Sequence, residues 1–137
     1  MENSLLFFVV ALIVTLISAT VYAAEYTFGF GAETADLDYA GTDSSVIAGF
    51  RFIDGTEITK VLDGPGNDHE RGDYREYFFT EEMPEPWMIT HVILGIDGSD
   101  AWICSYLKIF LPSFLGYHRT NSMEIWHEFD NSEKRYY

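Results

Sequence analysis

Residues 45–61, SVIAGFRFIDGTEITKV, decide the fold class because they contain two β-strand patterns separated by a turn. In the first half, every second residue is apolar, which puts four side chains on one face of a strand: Val46, Ala48, Phe50 and Phe52. The Asp54-Gly55 dipeptide then suits a type I′ hairpin turn, and the segment TEITKV resumes as a second strand. The stretch therefore predicts an antiparallel hairpin with one buried face.

The same period of two recurs on both sides of this hairpin. Further strand patterns are EYTFGFG (25–31), YREYFFT (74–80), WMITHVILGI (87–96), AWICSYLKIF (101–110), SFLGYHRT (113–120) and SMEIWHEF (122–129). Turn signals separate them every 8–12 residues or so, and no long helical pattern appears, so we predict about eight strands in an all-β sandwich or barrel. The predicted core includes Phe28, Phe30, Phe50, Phe52, Trp102 and Leu107.

The N-terminal segment differs from the rest in composition. Residues 5–19 are almost entirely apolar, and Val21-Tyr22-Ala23 is a small-residue pattern of the kind that signal peptidase cleaves. We predict a signal peptide over residues 1–23, one domain over residues 24–137, and a secreted, extracellular protein. The segment lacks Lys and Arg and carries Glu2, so a signal anchor that holds the domain outside the cell is the alternative, although the run is short for a span of about 20 residues.

Charge excludes one class of partner. Residues 24–137 contain all eight Lys and Arg and 21 of the 22 Asp and Glu, since only Glu2 precedes them, so their formal net charge is −13. Nucleic-acid phosphates would be repelled by this field, and an anionic bilayer would be repelled unless a cation neutralised the acids. Calcium is the obvious neutralising cation outside cells.

The acidic residues concentrate in three of the predicted connections. These are TADLDYAGTD (34–43), LDGPGNDHERGD (62–73) and GIDGSDAW (95–102), the first, third and fifth connections along the chain. Successive connections of an antiparallel sandwich alternate between its two ends, so these three are expected at the same end. Calcium takes six to eight oxygen ligands, as these loops could supply. The alternative is that Asp, Asn and Gly serve there only as turn-forming residues.

The motifs AGTD (40–43), GNDHERG (66–72) and DAW (100–102) resemble, in their residues and spacing, the PLAT domain, also called the lipoxygenase homology or LH2 domain. The likeness covers residues 26–109. It implies an eight-stranded antiparallel β-sandwich with a calcium site between loops. Carried over position by position, the calcium ligands would be the side chains or backbone carbonyls of Tyr39, Gly41, Thr42, Asp43, Asn67, Asp68, Glu70, Asp100 and Ala101.

Two departures from the family pattern concern the membrane. Asp38 and Asp97 stand where lipoxygenase-type members carry loop tryptophans that insert into bilayers, and His69 replaces the usual phenylalanine. We therefore predict Tyr39 and Trp87 as the surface for a membrane or another partner.

No catalytic constellation is found. The sequence lacks a G-x-S-x-G elbow and a His pair at zinc spacing, and the single cysteine, Cys104, is expected to be a small buried residue of a strand. The predicted signal peptide and the resemblance together imply a secreted, non-catalytic calcium-binding module that attaches to a lipid surface or to an extracellular protein. The alternative is an extracellular interaction or structural domain without metal.

Overall fold

The computed structural model describes residues 24–113 and 119–137 as two packed antiparallel sheets. Eight strands follow one another along the chain: β1 (Ala24–Thr34), β2 (Ser45–Phe52), β3 (Glu57–Val61), β4 (Tyr74–Met83), β5 (Ile89–Asp97), β6 (Trp102–Ser113), β7 (Thr120–Phe129) and β8 (Lys134–Tyr136). One sheet has the order β4-β1-β6-β7 and the other the order β3-β2-β5-β8. The predicted eight-stranded antiparallel β-sandwich is confirmed. The predicted signal peptide, residues 1–23, lies outside the described residues.

Two predicted details need correction. The eighth strand is β8, which pairs with β5 through Ile93 and Tyr136; it was not predicted because KRY is short and polar. The strand pattern proposed for residues 113–120 falls mostly on 114–118, outside the described residues.

At the hairpin tip, only Gly55 of the Asp54-Gly55 pair has a positive φ, of 88°. A type I′ turn needs two positive φ values, so the observed three-residue loop, with glycine in the left-handed region, takes its place.

The core lies between the sheets and is rich in aromatic side chains. All six residues predicted to be buried are buried: Phe28, Phe30, Phe50, Phe52, Trp102 and Leu107. The ring centroid of Phe50 lies 5.6 Å from that of Phe28 and 5.2 Å from that of Phe30, distances typical of favourable ring pairs. The indole Nε1 of Trp102 donates a 2.8 Å hydrogen bond to Oγ1 of Thr34, so its one polar atom is satisfied within the core.

β1 lies at the centre of its sheet and crosses the whole molecule. It pairs with β4 along ten successive residues and with β6 on its other side. It begins at Ala24, opposite Met83, and ends at Thr34, next to the first acidic loop.

Connections alternate between the two ends of the sandwich, as the antiparallel pairing requires. The acidic loops, residues 35–44, 62–73 and 98–101, lie at one end, which we call the acidic end. They hold eight Asp and Glu residues and one basic residue, Arg71. The β2–β3 and β4–β5 connections lie at the opposite end; the latter contains a short 3₁₀ turn, Pro86–Met88. Within the described ranges, no helix is long and apolar enough to span a membrane.

Candidate functional site

The three acidic loops are joined to one another by backbone hydrogen bonds. The N–H of Thr42 donates to the carbonyl of His69 at 3.1 Å, which links the first loop to the second. The N–H of Ile103 donates to the carbonyl of Ala40 at 3.0 Å, which links β6, just past the third loop, to the first. The prediction that these loops meet at one end is therefore confirmed.

Gly41 allows the first two loops to approach this closely. A Cβ atom at this position would lie 3.2 Å from the carbonyl oxygen of His69 and 3.3 Å from the backbone N of Arg71. Both are backbone atoms, which cannot rotate away as a flexible side chain would. The glycine of the AGTD motif is therefore explained by packing between loops, whether or not its carbonyl binds a metal.

Thr42 and Asp43 connect the first loop to the third. Oγ1 of Thr42 donates to the carbonyl oxygen of Asp100 at 2.6 Å, and the backbone N–H of Asp43 donates to Oδ2 of Asp100, also at 2.6 Å. Ser44 completes the link, because its Oγ accepts from the N–H of Asp100 at 2.9 Å. These contacts fix the backbone of both loops and leave the Asp43 carboxylate exposed.

Asp68 has a different environment from the other acids. Its side chain is only 6% exposed, and both carboxylate oxygens accept hydrogen bonds. Oδ1 accepts from Arg75, while Oδ2 accepts from the N–H of Gly64 at 2.6 Å and from the hydroxyl of Tyr77 at 2.9 Å. The burial of Tyr77, together with this bond to Asp68, raises the pKa of its hydroxyl. Asp68 thus organises the second loop from within.

His69 lies beneath the acidic loops with a positive φ of 61°. Its ring is buried, with the centroid 5.6 Å from that of Trp102 in an edge-to-face arrangement, and its Nε2 lies 2.7 Å from the carbonyl oxygen of Leu62. Burial lowers the pKa of His69, so the neutral imidazole is favoured, with its proton on the nitrogen that faces Leu62. His69 is therefore an aromatic core residue with one polar contact.

Two adjoining cavities open between the loops. The first, of about 260 Å³, is lined by Tyr39, Gly41, Thr42, Asp43, Glu70, Arg71 and Asp100. The second, of about 220 Å³, also includes Thr42, Asp43 and Glu70 in its lining, together with Asp63, Asn67 and Asp68. Eight of the nine predicted calcium ligands thus line at least one cavity, and Ala101 lines neither.

Two arginines already neutralise part of the acidic end, which sequence patterns alone did not indicate. Arg71 pairs with Asp36 through Nε at 2.8 Å and with Asp38 through its terminal nitrogen. Arg75 donates to Asp68 and to the carbonyl oxygens of Pro65 and Asn67. In the sequence, both arginines stand next to acidic residues, in ERGD and DYR, which hints at ion pairs. The pattern does not identify the partners, because these lie up to 35 residues away along the chain.

The donor chemistry fits calcium, but the side chains do not converge on one point. The first cavity offers carboxylate, hydroxyl and carbonyl oxygens, the ligands that calcium prefers. However, among residues 24–113 and 119–137, no three His, Cys, Asp or Glu side chains lie close enough together to hold a metal ion. Calcium at this site would therefore require Asp43, Glu70 and Asp100 to change rotamers.

The two residues predicted as one partner or membrane surface lie at opposite ends of the molecule. Tyr39 lies in the first loop of the acidic end, with a φ of 62°, and is 97% exposed. Trp87 is 74% exposed on the 3₁₀ turn of the β4–β5 connection, at the other end. A single flat surface cannot contact both.

Cys104 is buried, as expected from its strand pattern. Its burial raises the pKa of the thiol to about 12, so the reactive thiolate is scarce at neutral pH.

Comparison with known proteins reveals structural relatives but no sequence family. No protein-family model matches the sequence, and no curated protein matches it significantly. Among solved structures, the alpha-toxin of Clostridium absonum superposes with a TM-score of 0.68 and 22% identity, over 85% of this chain and 32% of the toxin. The alpha-toxin from an avian strain of Clostridium perfringens gives 0.66 and 17% identity, over 84% of this chain and 32% of the toxin.

A lipoxygenase shares the same architecture. The coral 8R-lipoxygenase, whose structure is described as showing calcium activation via a C2-like domain, superposes with a TM-score of 0.62 and 20% identity, over 79% of this chain and 16% of the enzyme. The chain therefore spans about a third of each toxin and about a sixth of the lipoxygenase. At identities this low, the likeness shows a shared fold.

Proposed function

Because the chain has a PLAT-type fold, we propose that it is a secreted, non-catalytic, calcium-binding module that attaches to a lipid surface or to an extracellular protein. The acidic end is the proposed calcium site, with Asp43, Glu70 and Asp100 as its carboxylate ligands. Tyr39 and Gly41 would add backbone carbonyls.

One observation carries the proposal: two adjoining cavities share Thr42, Asp43 and Glu70, which come from different loops. Carboxylates that belong to separate connections repel one another unless a cation lies between them. The net charge of −13 for residues 24–137 adds to this repulsion, and a divalent cation relieves it. The calcium activation described for the coral lipoxygenase is a precedent in the same fold.

The loops are suited to a weak, extracellular type of calcium site. Extracellular calcium modules bind with dissociation constants of about 10⁻⁴ to 10⁻³ M, which millimolar calcium partly or largely fills. Backbone hydrogen bonds from Thr42 to His69 and from Ile103 to Ala40 already hold the loops together, so mainly side chains have to reorient. The cost of organising the site is therefore confined to a few rotamers.

Titration calorimetry with calcium chloride tests the proposal on the full chain. We expect binding that is lost in Asp43→Asn and Glu70→Gln, with magnesium binding more weakly because it demands a tighter octahedral shell. Glu124→Gln is the matched control: it removes one negative charge from an exposed position on β7, away from the acidic end. If Glu124→Gln weakens binding as much as Asp43→Asn does, the effect comes from overall charge and the site is elsewhere.

Vesicle flotation then tests attachment. Two kinds of vesicle are used, phosphatidylcholine alone and phosphatidylcholine with phosphatidylserine, and each is tested in calcium and in chelator. Flotation that occurs only in calcium indicates attachment through the calcium site, whereas flotation in chelator indicates attachment without it. A chain that remains with the soluble fraction in all four conditions does not bind lipid, and the extracellular protein partner is then the remaining form of the proposal.

A second function is favoured by the arginine pairs. Arg71 and Arg75 already neutralise Asp36, Asp38 and Asp68, and the described residues hold no group of three metal-binding side chains. These observations suit an extracellular protein-interaction or structural domain whose acidic loops need no metal. Calorimetry that detects no heat with millimolar calcium, while the chain remains folded, would favour this second function.

A further inference from the structure

The end of the sandwich opposite the acidic end presents two exposed apolar side chains. Ile53, in the β2–β3 loop, is 66% exposed, and Trp87, on the 3₁₀ turn of the β4–β5 connection, is 74% exposed. We call these two residues the apolar tip. Exposing them to water costs free energy that burial in an apolar medium would recover.

The apolar tip is held rigidly by its own backbone. The N–H of Ile53 donates to the carbonyl of Met88 at 2.8 Å, so the two connections are fixed side by side. In the first connection, Oδ1 of Asp54 accepts from both the N–H and the hydroxyl of Thr56. In the second, Pro86 begins the 3₁₀ turn. Because these loops are already ordered, docking the tip would cost little conformational entropy.

The N-terminal apolar run enters the domain at this same end. Ala24, the first described residue, pairs with Met83 at the end of β4, only four residues before Trp87. The 23 residues that precede Ala24 include the apolar run of residues 5–19. In the signal-anchor alternative, in which that run stays in a bilayer, a chain that leaves the bilayer at Ala24 would bring the apolar tip next to the lipid surface.

The charge around the tip indicates which lipids suit it. Asp54, Glu57 and Glu85 lie in or beside these two connections, against one adjoining arginine, Arg51, so the charge around the tip is net negative. Anionic headgroups would be repelled, whereas zwitterionic headgroups would not. Tryptophan is also the side chain that most favours the boundary between headgroups and acyl chains, because its ring is apolar and its N–H is polar.

We infer that the apolar tip, Ile53 and Trp87, docks on a zwitterionic lipid surface without calcium, so that the acidic end points away from the bilayer. The strands separate the two ends by about 30 Å, since a strand of nine residues rises roughly 3.3 Å per residue. The inference rests on the proposed attachment function, but it does not need the calcium site. It assigns lipid to one end and leaves the acidic end accessible to calcium and a second partner.

Single-cysteine labelling of the full 137-residue chain tests this orientation. The native Cys104 is buried and its raised pKa makes it unreactive, so it need not be removed. The chain is labelled in detergent with an environment-sensitive fluorophore at Ile53→Cys or Trp87→Cys, and at Tyr39→Cys or Asp97→Cys for the acidic end. Each labelled chain is then transferred to phosphatidylcholine vesicles in chelator. We expect a blue shift and quenching by nitroxide-labelled lipid at positions 53 and 87, with neither at positions 39 and 97.

A second pair of variants separates docking of the tip from tethering by the N-terminal run. In the chain labelled at position 53, Trp87→Ser should reduce the blue shift, whereas Trp126→Ser should not, because Trp126 is an exposed tryptophan on β7, outside the tip. A shift only at positions 39 and 97 would overturn the inference and leave attachment through the acidic end. Labels that respond at neither end would overturn the inference, while attachment in calcium is tested separately by vesicle flotation and the calcium site by calorimetry.

Discussion

The backbone N–H of Asp43 donates a 2.6 Å hydrogen bond to Oδ2 of Asp100, so a carboxylate of the third acidic loop is attached to the first. The bond places two acidic residues next to each other, and among the residues that the structure describes neither forms an ion pair with a basic side chain. A cation that binds between the two carboxylates would therefore relieve their repulsion, and its removal would restore that repulsion.

Calcium should raise the melting temperature of the protein. A ligand that binds only the folded state stabilises it by RT ln(1 + [L]/Kd), which is about 2.7 kcal/mol at one hundred times Kd. Asp43→Ala should abolish this increase while changing the melting temperature in chelator little, because the Asp43 carboxylate is exposed. Differential scanning fluorimetry in calcium, magnesium and chelator measures both effects. Superimposable curves in calcium and chelator for the unmutated chain would contradict the calcium proposal.

Asp68→Ala should destabilise the protein strongly even in chelator. The substitution leaves the Gly64 N–H and the Tyr77 hydroxyl without their acceptor and leaves Arg75 without its buried partner. We expect a loss of about 2–4 kcal/mol in the free energy of unfolding, measured by urea denaturation. Asp43→Ala serves as the comparison, since both variants remove one carboxylate from a predicted ligand. Equal losses in the two variants would show that burial of Asp68 is not what matters.

Stability should fall below neutral pH because of His69. Burial puts the pKa of folded His69 below its ordinary value near 6.5, so the unfolded chain takes up the proton first as the pH falls. The contribution is fully present above that ordinary value and is lost as the pH decreases through it. Urea midpoints measured from about pH 7.5 to about pH 5.5 should show this slope, and His69→Phe should flatten it. His91→Gln, at an exposed position, should leave the slope unchanged.

Gly41→Ala should destabilise the acidic end. Its Cβ would lie 3.2–3.3 Å from three backbone atoms of residues 69–71, so one loop has to move. We expect a cost of about 1–3 kcal/mol and weaker calcium binding, because the cavity is lined by the same loops. Gly64→Ala is the control: its Cβ would find its nearest neighbour at an ordinary 3.5 Å, and its cost should be much smaller. A neutral effect of Gly41→Ala would mean that the loops are free to separate.

Much of the fold follows from alternation in the sequence. Phe28 and Phe30, or Phe50 and Phe52, are separated by one residue, and a period of two fixes both the strand and its buried face. The meeting of the acidic loops also follows, because antiparallel connections alternate between ends. The same reasoning places Trp87 at the other end of the sandwich from Tyr39, because Trp87 lies in the fourth connection along the chain and Tyr39 in the first.

Other features depend on distances that a local pattern does not contain. Asp68 is buried and pairs with Arg75. The sequence shows several carboxylates near Arg75, and it does not show which of them is buried and pairs with it. β8 was missed because three polar residues acquire strand geometry only by pairing with Ile93 to Gly95 of β5. Whether the ligand side chains converge is likewise a property of rotamers, which the motif spacing leaves open.

β1 runs from Ala24, where the N-terminal segment joins, to Thr34, where the first acidic loop begins. A pulling force between an attachment at one end and a bound partner at the other would act along this strand. Such a force would load the hydrogen bonds of β1 to β4 and β6 together, in shear. A force perpendicular to the strand would instead break them one after another.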